Sequence, residues 1–380
     1  MLLDHPYILF FLVSLVFIKW LQYLVHRKMH PKTIPLSVNY HFTRKCNYIL
    51  LPAPTPSGPR QTPDPYIEEC GFCFHTDTNS YIAPLPDAKA ALSLLALAGM
   101  KKINFAGGEP FLYARHLGEL VDYCKETLHL ESVSIVSNGS HIREDWLKQH
   151  AHNLDILAVS CDSFDEPTNI AIGRGKGTHI AQLYPIADWC RTYGVLFKLN
   201  SVINRYNWQE DMNSHIAKLD PYRWKCFQVL LVEGENDSDQ TKRDARKFTI
   251  LDEEFEHFCS KHRDNACFVP ESNKLMAKSY LILDEHLRFL DRTGKAPSRS
   301  IIEVGVEKAL SSVFWDADGF KERGGIYAWN QDQIEKSKEA TEGQNSTATK
   351  GLGLAVGNTC RGSQSSDAVD MEDIGSKKML

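Results

Sequence analysis

The run Asp87-Ala88-Lys89-Ala90-Ala91-Leu92-Ser93-Leu94-Leu95-Ala96-Leu97-Ala98-Gly99-Met100-Lys101-Lys102-Ile103-Asn104-Phe105-Ala106-Gly107-Gly108-Glu109-Pro110 holds one complete helix-to-strand unit. Residues 87–98 are strong helix formers, and Gly99 suits the left-handed residue that closes a helix. Residues 102–105 then read as a strand, and Gly107-Gly108-Glu109-Pro110 as the turn that leaves it. A helix feeding straight into a strand is the repeating half of a parallel α/β fold.

The same alternation extends in both directions. Residues 36–40, 132–136, 156–160, 195–202 and 224–231 read as further strands. Residues 117–128, 146–150, 180–193 and 215–219 read as helices between them. About six βα units are too few for a closed eight-fold barrel, so the expected fold class is α/β, an open or partial (βα)6 barrel. Ligands in such folds gather at the carboxyl ends of the strands.

The chain has 380 residues, enough for one large domain or two ordinary ones. Its 43 Lys and Arg against 48 Asp and Glu give a net charge of −5, which argues against a protein that coats nucleic acid, and no nucleic-acid partner is expected. Apart from the 70/73 pair, its cysteines are scattered singly. That pattern opposes a disulfide framework and fits a reducing compartment.

Residues 6–25 are nearly all apolar, with Lys19 their one charge. A stretch of about 20 such residues spans a bilayer, while Lys19 and Gln22 equally suit a helix lying in the interface. Trp20 and Tyr23 fit an interfacial belt, and His26, Arg27, Lys28 and His30 keep the rest of the chain cytosolic. No small-residue site follows that would make this a cleaved signal peptide. Residues 1–30 are therefore expected to be a membrane anchor or amphipathic helix, with 31–36 a linker. Six prolines within 49–69 exclude helix or central strand, and the polar run 331–380 reads as a disordered tail.

The chemistry sits at strand ends. Cys46 follows the first strand, and Cys70-Gly71-Phe72-Cys73-Phe74-His75 lies beyond 23 intervening residues. Three cysteines without a fourth at matching spacing suit an iron–sulfur cluster that leaves one iron open. Two other readings of Cys-x-x-Cys stand beside it. A zinc site normally shows a second pair or regularly spaced histidines, and a thioredoxin-like redox pair would leave Cys46 idle. Gly107-Gly108-Glu109-Pro110 lets backbone approach a ligand and offers Glu109 and main-chain groups to an amine, though an ordinary turn looks the same. Ser137-Asn138-Gly139 and Ser160-Cys161-Asp162-Ser163 put hydroxyls and amides at two more strand ends, where caps also use them.

This set of motifs resembles the radical S-adenosylmethionine superfamily. Longer blocks are similar to its viperin family: Asn39-Tyr40-His41-Phe42-Thr43-Arg44-Lys45-Cys46, residues 134–140, 160–166 and 198–204, and Val269-Pro270-Glu271-Ser272-Asn273 followed by 279–285. The likeness covers roughly residues 37–330. It implies a partial (βα)6 radical S-adenosylmethionine barrel over 37–235, with a C-terminal extension, 236–330, completing the active site.

The resemblance also implies roles. Cys46, Cys70 and Cys73 would ligate a [4Fe-4S] cluster, and S-adenosylmethionine would chelate its fourth iron. Gly107, Gly108 and Glu109 would hold the cofactor's amine. Ser160 and Arg174 would meet its carboxylate and ribose, with Phe72 and Asn138 alongside. The resulting 5′-deoxyadenosyl radical would take the 4′ hydrogen from a nucleoside triphosphate, CTP in the first place. Loss of water would then give the 3′-deoxy-3′,4′-didehydro nucleotide, an antiviral chain terminator. Tyr280 would return a hydrogen atom to the sugar radical. The implied setting is the endoplasmic reticulum membrane or lipid droplet, with an electron-donor reductase, a membrane surface and cytosolic iron–sulfur delivery machinery as partners.

The residues agree with an anionic substrate. A triphosphate needs several cations around one pocket. Lys198 with Asn200, and Arg223 with Lys225, alternate on two neighbouring strands and so share a face. Surface charges at strand ends would give the same pattern. Asn39 and His41 alternate likewise on the first strand, where His41 also reads as a hydrogen-bonded core histidine.

Two features depart from the family. It has three residues between its first two cluster cysteines where this chain has 23. Loop closure grows only logarithmically, so the longer loop costs about 2 kcal/mol and leaves ligation allowed. Viperins also commonly end in a tryptophan that docks to the delivery machinery, whereas this chain runs on past Trp329. The competing reading is a membrane-tethered scaffold of the same fold whose cluster site is broken by the insertion.

Overall fold

The computed structural model describes residues 33–47, 70–175 and 177–334. The apolar run 6–25, the proline-rich run 49–69 and the tail beyond 334 lie outside the described residues, and so does what was expected of them. Among the described residues, no helix is long and apolar enough to cross a membrane.

Eight strands form one parallel sheet: β1 (Ser37–Thr43), β2 (Lys102–Gly107), β3 (Ser132–Ser137), β4 (Ile156–Ser160), β5 (Leu196–Ile203), β6 (Arg223–Gln228), β7 (Phe268–Glu271) and β8 (Ile282–Leu283), in the order β7-β6-β5-β4-β3-β2-β1-β8. The connecting helices are α1 (Leu85–Leu97), α2 (Ala114–Asp122), α3 (Glu144–His150), α4 (Glu166–Ile172), α5 (His179–Thr192), α6 (Asn213–Leu219) and α7 (Asp252–His262).

Parallel strands covered on both faces are usually apolar throughout. Here β1 to β6 alternate. Val38, Tyr40 and Phe42, Ile103 and Phe105, Val133 and Ile135, Leu157 and Val159, Phe197 and Leu199, and Trp224 and Cys226 share one buried core with Leu92, Leu95, Leu117 and Leu120 of the helices. The intervening positions, among them Asn39, Asn104, Ser134, Lys198, Asn200 and Lys225, face a common interior cavity. Such alternation means that the inner face meets something polar.

The sheet departs from the six expected strands by two, and both come from the C-terminal extension. β7 pairs with β6 and β8 with β1, so each edge of the six-stranded core gains a strand. They are four and two residues long, too short for an alternating pattern, and Pro270 sits in β7, where only an edge strand tolerates it. Residues 272–281 link them. Several helices also differ from expectation, among them α7, where no helix was expected over 252–262. The stretch expected as one helix over 117–128 is α2 followed by a π-helical turn, Tyr123–Thr127. α4 was not expected, although Asp165 caps it by accepting from Thr168 N and Gly173 closes it at φ 90°.

Trp224 anchors the β6 side. It is fully buried, its Nε1 donates to Ser201 Oγ at 3.0 Å, and its ring meets Phe258, His262 and Phe268. Trp224→Ala is expected to remove about 3–5 kcal/mol of unfolding free energy, read from the midpoint of urea denaturation.

Candidate active site

At the carboxyl end of the sheet the chain builds a rigid rim. Gly108 N donates to Thr43 O and Glu109 N to Lys45 O, both at 2.8 Å, drawing the end of β2 against the segment that leads to Cys46. A Cβ on Gly107 would lie 2.2 Å from Thr43 O, and one on Gly108 2.0 Å from Lys45 O. The bare glycines therefore admit a neighbouring backbone, where the sequence suggested a ligand. The Glu109 carboxylate is wholly buried. It accepts from Ser137 Oγ (2.8 Å), Asn138 N (2.7 Å) and Phe111 N (3.0 Å). Burial pushes its acid up to about 7 against those three bonds. Glu109 thus acts as a bracket between the ends of β2 and β3, with both oxygens already engaged.

The cysteines meet beneath this rim. Cys73 N donates to Cys70 O at 3.1 Å, closing a tight turn, and Gly71 N donates to Ile172 O at 3.1 Å. Asn138 Nδ2 lies 3.9 Å from Cys46 Sγ. Burial raises the Cys70 and Cys73 thiols. Arg174 opposes that at Cys70, and the backbone at His75 followed by Arg243 opposes it at Cys73. The charges of Cys73 and Cys46 both act on Cys70, so the three thiols form one group despite the 23-residue separation.

The expected cofactor residues surround them. Phe72 packs with Ile172, Val229, Ala245 and Phe248, and the Arg174 guanidinium lies 5.7 Å from its ring. Arg174 Nε donates to Asp162 Oδ2 at 2.6 Å. Ser160 ends β4, and its carbonyl faces His179 Nε2 at 2.8 Å. Asn138 is tied to Asn47 and Ser140 as well as to Cys46.

Arg44 ties four segments together. It pairs with both oxygens of Glu235 (3.0 and 3.2 Å), with Glu285 Oε1 (3.2 Å) and with Thr76 O (3.2 Å). Close by, the His41 and His75 rings meet edge-on with centroids 4.5 Å apart. Burial, then Arg292 and Arg44, push His41 down to about 3, and burial holds His75 well below its usual value. His41 faces His75 rather than the interior cavity. Its Nδ1 has no hydrogen-bond partner among the described residues.

The cavity inside the sheet collects Asn39, Lys102, Asn104, Ser134, Lys198, Asn200, Lys225, Tyr280, Arg323 and Tyr327. Asn104 donates to Asn39 Oδ1 and Ser134 Oγ to Asn104 Oδ1, both at 2.9 Å, a polar ladder across β1, β2 and β3. Burial depresses the ammonium groups, Lys102 to about 7, Lys225 to about 8 against the pull of Glu271, and Lys198 well below its usual value. Arg223 does not join this lining. Its guanidinium lies 4.2 Å from the Tyr327 ring centroid. Lys102, Arg323 and Glu271 were not foreseen as site residues. The alternation of Lys102 with Asn104 on β2 repeats that of Lys198 with Asn200, and was the signal available for the first.

A model of the radical SAM superfamily matches residues 68–240. The chain is 52% identical to the S-adenosylmethionine-dependent nucleotide dehydratase RSAD2 of Danio rerio, over 79% of this chain and 80% of that one. It is 51% identical to the protein of the same name from Oncorhynchus mykiss, over 78% and 81%. The chain belongs to the S-adenosylmethionine-dependent nucleotide dehydratase family. A dehydratase of a Thermoplasmatales archaeon is 33% identical over 77% of this chain and 96% of its own. Among solved structures, Streptococcus suis SuiB bound to S-adenosylmethionine has the same fold, with TM-score 0.55 and 15% identity over 80% of this chain and 71% of that one.

The cofactors of this radical enzyme family are S-adenosylmethionine and a [4Fe-4S] cluster. The thiols fit the cluster better than a lone ion. Among the described residues, no three His, Cys, Asp or Glu side chains converge on a single metal position, and a cluster takes each thiolate on a different iron. Cys46, Cys70 and Cys73 would hold it. In Gly108→Ala the added methyl meets backbone, which cannot move aside. Anaerobic iron and sulfide reconstitution of that variant is expected to give less than about a tenth of the wild-type visible absorbance, a backbone clash of this kind being worth several kcal/mol.

Proposed function

We propose that the protein removes water from the ribose of a nucleoside triphosphate, CTP being the substrate, to give the 3′-deoxy-3′,4′-didehydro nucleotide. One observation carries the substrate class. Lys102, Lys198, Lys225 and Arg323 reach a single enclosed cavity from β2, β5, β6 and the segment after the helical turn Ala317–Glu322. Cations turned into a protein interior are unfavourable unless an anion joins them, and a triphosphate is an anion of matching charge. The dehydratase relatives supply the reaction class.

Cys46, Cys70 and Cys73 would hold the cluster, which together with S-adenosylmethionine would supply a 5′-deoxyadenosyl radical for the 4′ hydrogen. The chain's own residues orient the substrate. Lys102 opens β2, and Lys198 and Lys225 lie in the first halves of β5 and β6, whereas the Cys46, Gly107 and Asn138 rim lies at the strand ends. A triphosphate among the cations therefore points its sugar at the cysteines. Asn39, Asn104, Ser134 and Asn200 line the same cavity and can meet ribose hydroxyls. Tyr280, held by Glu271 and Lys225 in the same cavity, would give up one hydrogen atom as an electron to the sugar radical and a proton to the departing 3′ hydroxyl, which leaves as water, and the electron-donor reductase would then restore its phenol.

A product without a 3′ hydroxyl cannot be extended by a polymerase, which suits antiviral defence. The apolar run 6–25 suits attachment to the endoplasmic reticulum membrane or a lipid droplet, with the barrel in the cytosol beside its reductase and iron–sulfur delivery partners.

The test is turnover by the anaerobically reconstituted full chain with dithionite, S-adenosylmethionine and CTP, UTP or GTP. Release of 5′-deoxyadenosine with a nucleotide product lighter by one water, fastest with CTP, is expected. A reconstituted protein that yields neither with any nucleotide overturns the reading. Lys198→Ala is expected to raise KM about ten-fold or more, the loss of one charge-assisted contact.

The depressed lysines give a sign for pH. Lys102 and Lys225 are charged below about 7 and about 8 and lose their protons above those values, whereas a bound polyanion favours the charged forms. Nucleotide affinity should therefore fall between pH 7 and 9. Binding near pH 8.5 should take up protons, seen as a calorimetric heat that changes with the buffer's ionisation enthalpy.

A further inference from the structure

Glu271 ends β7 with its side chain 1% exposed. Its Oε1 accepts from Lys225 Nζ and from Arg323 Nη1 (3.3 Å), and its Oε2 from the Tyr280 hydroxyl (2.6 Å). Arg323 lies flat over Tyr280, its guanidinium carbon 3.8 Å from the ring centroid. These three partners line the cavity, and no acidic side chain lines it. Glu271 stands immediately behind two of its four cations. Although burial raises its acid, Lys225 and Arg323 outweigh that and hold it below the usual carboxylate range, so it is an anion.

The proposed reaction changes the ribose and leaves the triphosphate intact. Each contact from a cation to a phosphate therefore holds product as firmly as substrate. Such uniform binding does not speed the chemical step and slows release. We infer that Glu271 is an internal counter-ion that competes with the phosphates for Lys225 and Arg323 and so sets the affinity for substrate and product alike. This inference rests on the triphosphate reading above. With the cavity empty, Glu271 neutralises two buried cations that would otherwise lack an anion. With a nucleotide bound, it cedes them in part, and its own charge remains close to the phosphates. The same carboxylate fixes the direction of the Tyr280 hydroxyl, so Glu271 is a positioning residue as well.

The experiment measures binding of inorganic tripolyphosphate, then CTP, to the cluster-reconstituted full chain by calorimetry, for wild type, Glu271→Gln and Glu271→Asp. Removing one like charge beside a polyanion should tighten tripolyphosphate binding about five- to ten-fold in Glu271→Gln. Glu271→Asp draws the carboxylate back while keeping its charge, and should fall between the two. In turnover, KM and the product inhibition constant should drop together while kcat falls, a split that a merely structural role would not produce. Equal or weaker tripolyphosphate binding in both variants overturns the inference, and the aspartate variant carries the test if the glutamine variant does not fold. Wild-type protein that binds no tripolyphosphate would instead overturn the triphosphate reading and the inference with it.

Discussion

Lysines facing inward from a parallel sheet impose the constraint on which this structure depends. A strand face lined with ammonium groups cannot collapse on itself, so the sheet curls around a polar space and leaves all its apolar packing to the outer face. The outer positions of β1 to β6 accordingly supply the strand side of the main core, from Tyr40 to Trp224, and the helices supply the other side. Some inner positions are satisfied by one another, as in the ladder from Asn39 through Asn104 to Ser134, and Lys225 by Glu271, while Asn200 Oδ1 has no partner among the described residues. The cavity and the core are two faces of a single alternation.

The second requirement is that a loop carrying Cys46 stay fixed over that space. It does so through backbone, the least compliant part of the chain. The carbonyls of Thr43 and Lys45 occupy the places where Gly107 and Gly108 would carry side chains. Glu109 then locks the same corner to the end of β3 through Ser137 Oγ and Asn138 N, and caps the turn that follows through Phe111 N. The rim is thus rigid before any cofactor arrives, which is how catalytic geometry is best prepared.

Much of this was legible in the sequence because periodicity and glycines carry it. The six longer strands, their helices and the positions of Cys46, Cys70, Cys73, Lys198, Asn200 and Lys225 follow from alternation and spacing. Other features were hidden for definite reasons. β7 and β8 are too short to show a period, and they are recruited from the far end of the chain by neighbours that need edge partners. Arg223 shares the parity of Lys225, yet Tyr327 takes its guanidinium, which strand alternation cannot report. Glu271 and Arg323 belong to the site only through tertiary folding, Glu271 meeting Lys225 and Arg323 meeting Glu271 across long separations. The polar motif of Glu109 does not show that its carboxylate is held by Ser137, Asn138 and Phe111, two of which are brought to it by the fold.

Arg44 has a consequence for how the protein comes to exist. Its guanidinium joins the end of β1 to Thr76, Glu235 and Glu285, so residues from both halves of the chain must be present before it is satisfied. β8, the neighbour of β1, is likewise among the last strands made. Synthesis runs from the amino terminus, and a nascent chain emerging from the ribosome offers the cysteines long before it can offer these supports. The thiols must therefore wait for the later sequence to dock against β1, and the site becomes ready to receive iron and sulfide only once the domain is nearly complete.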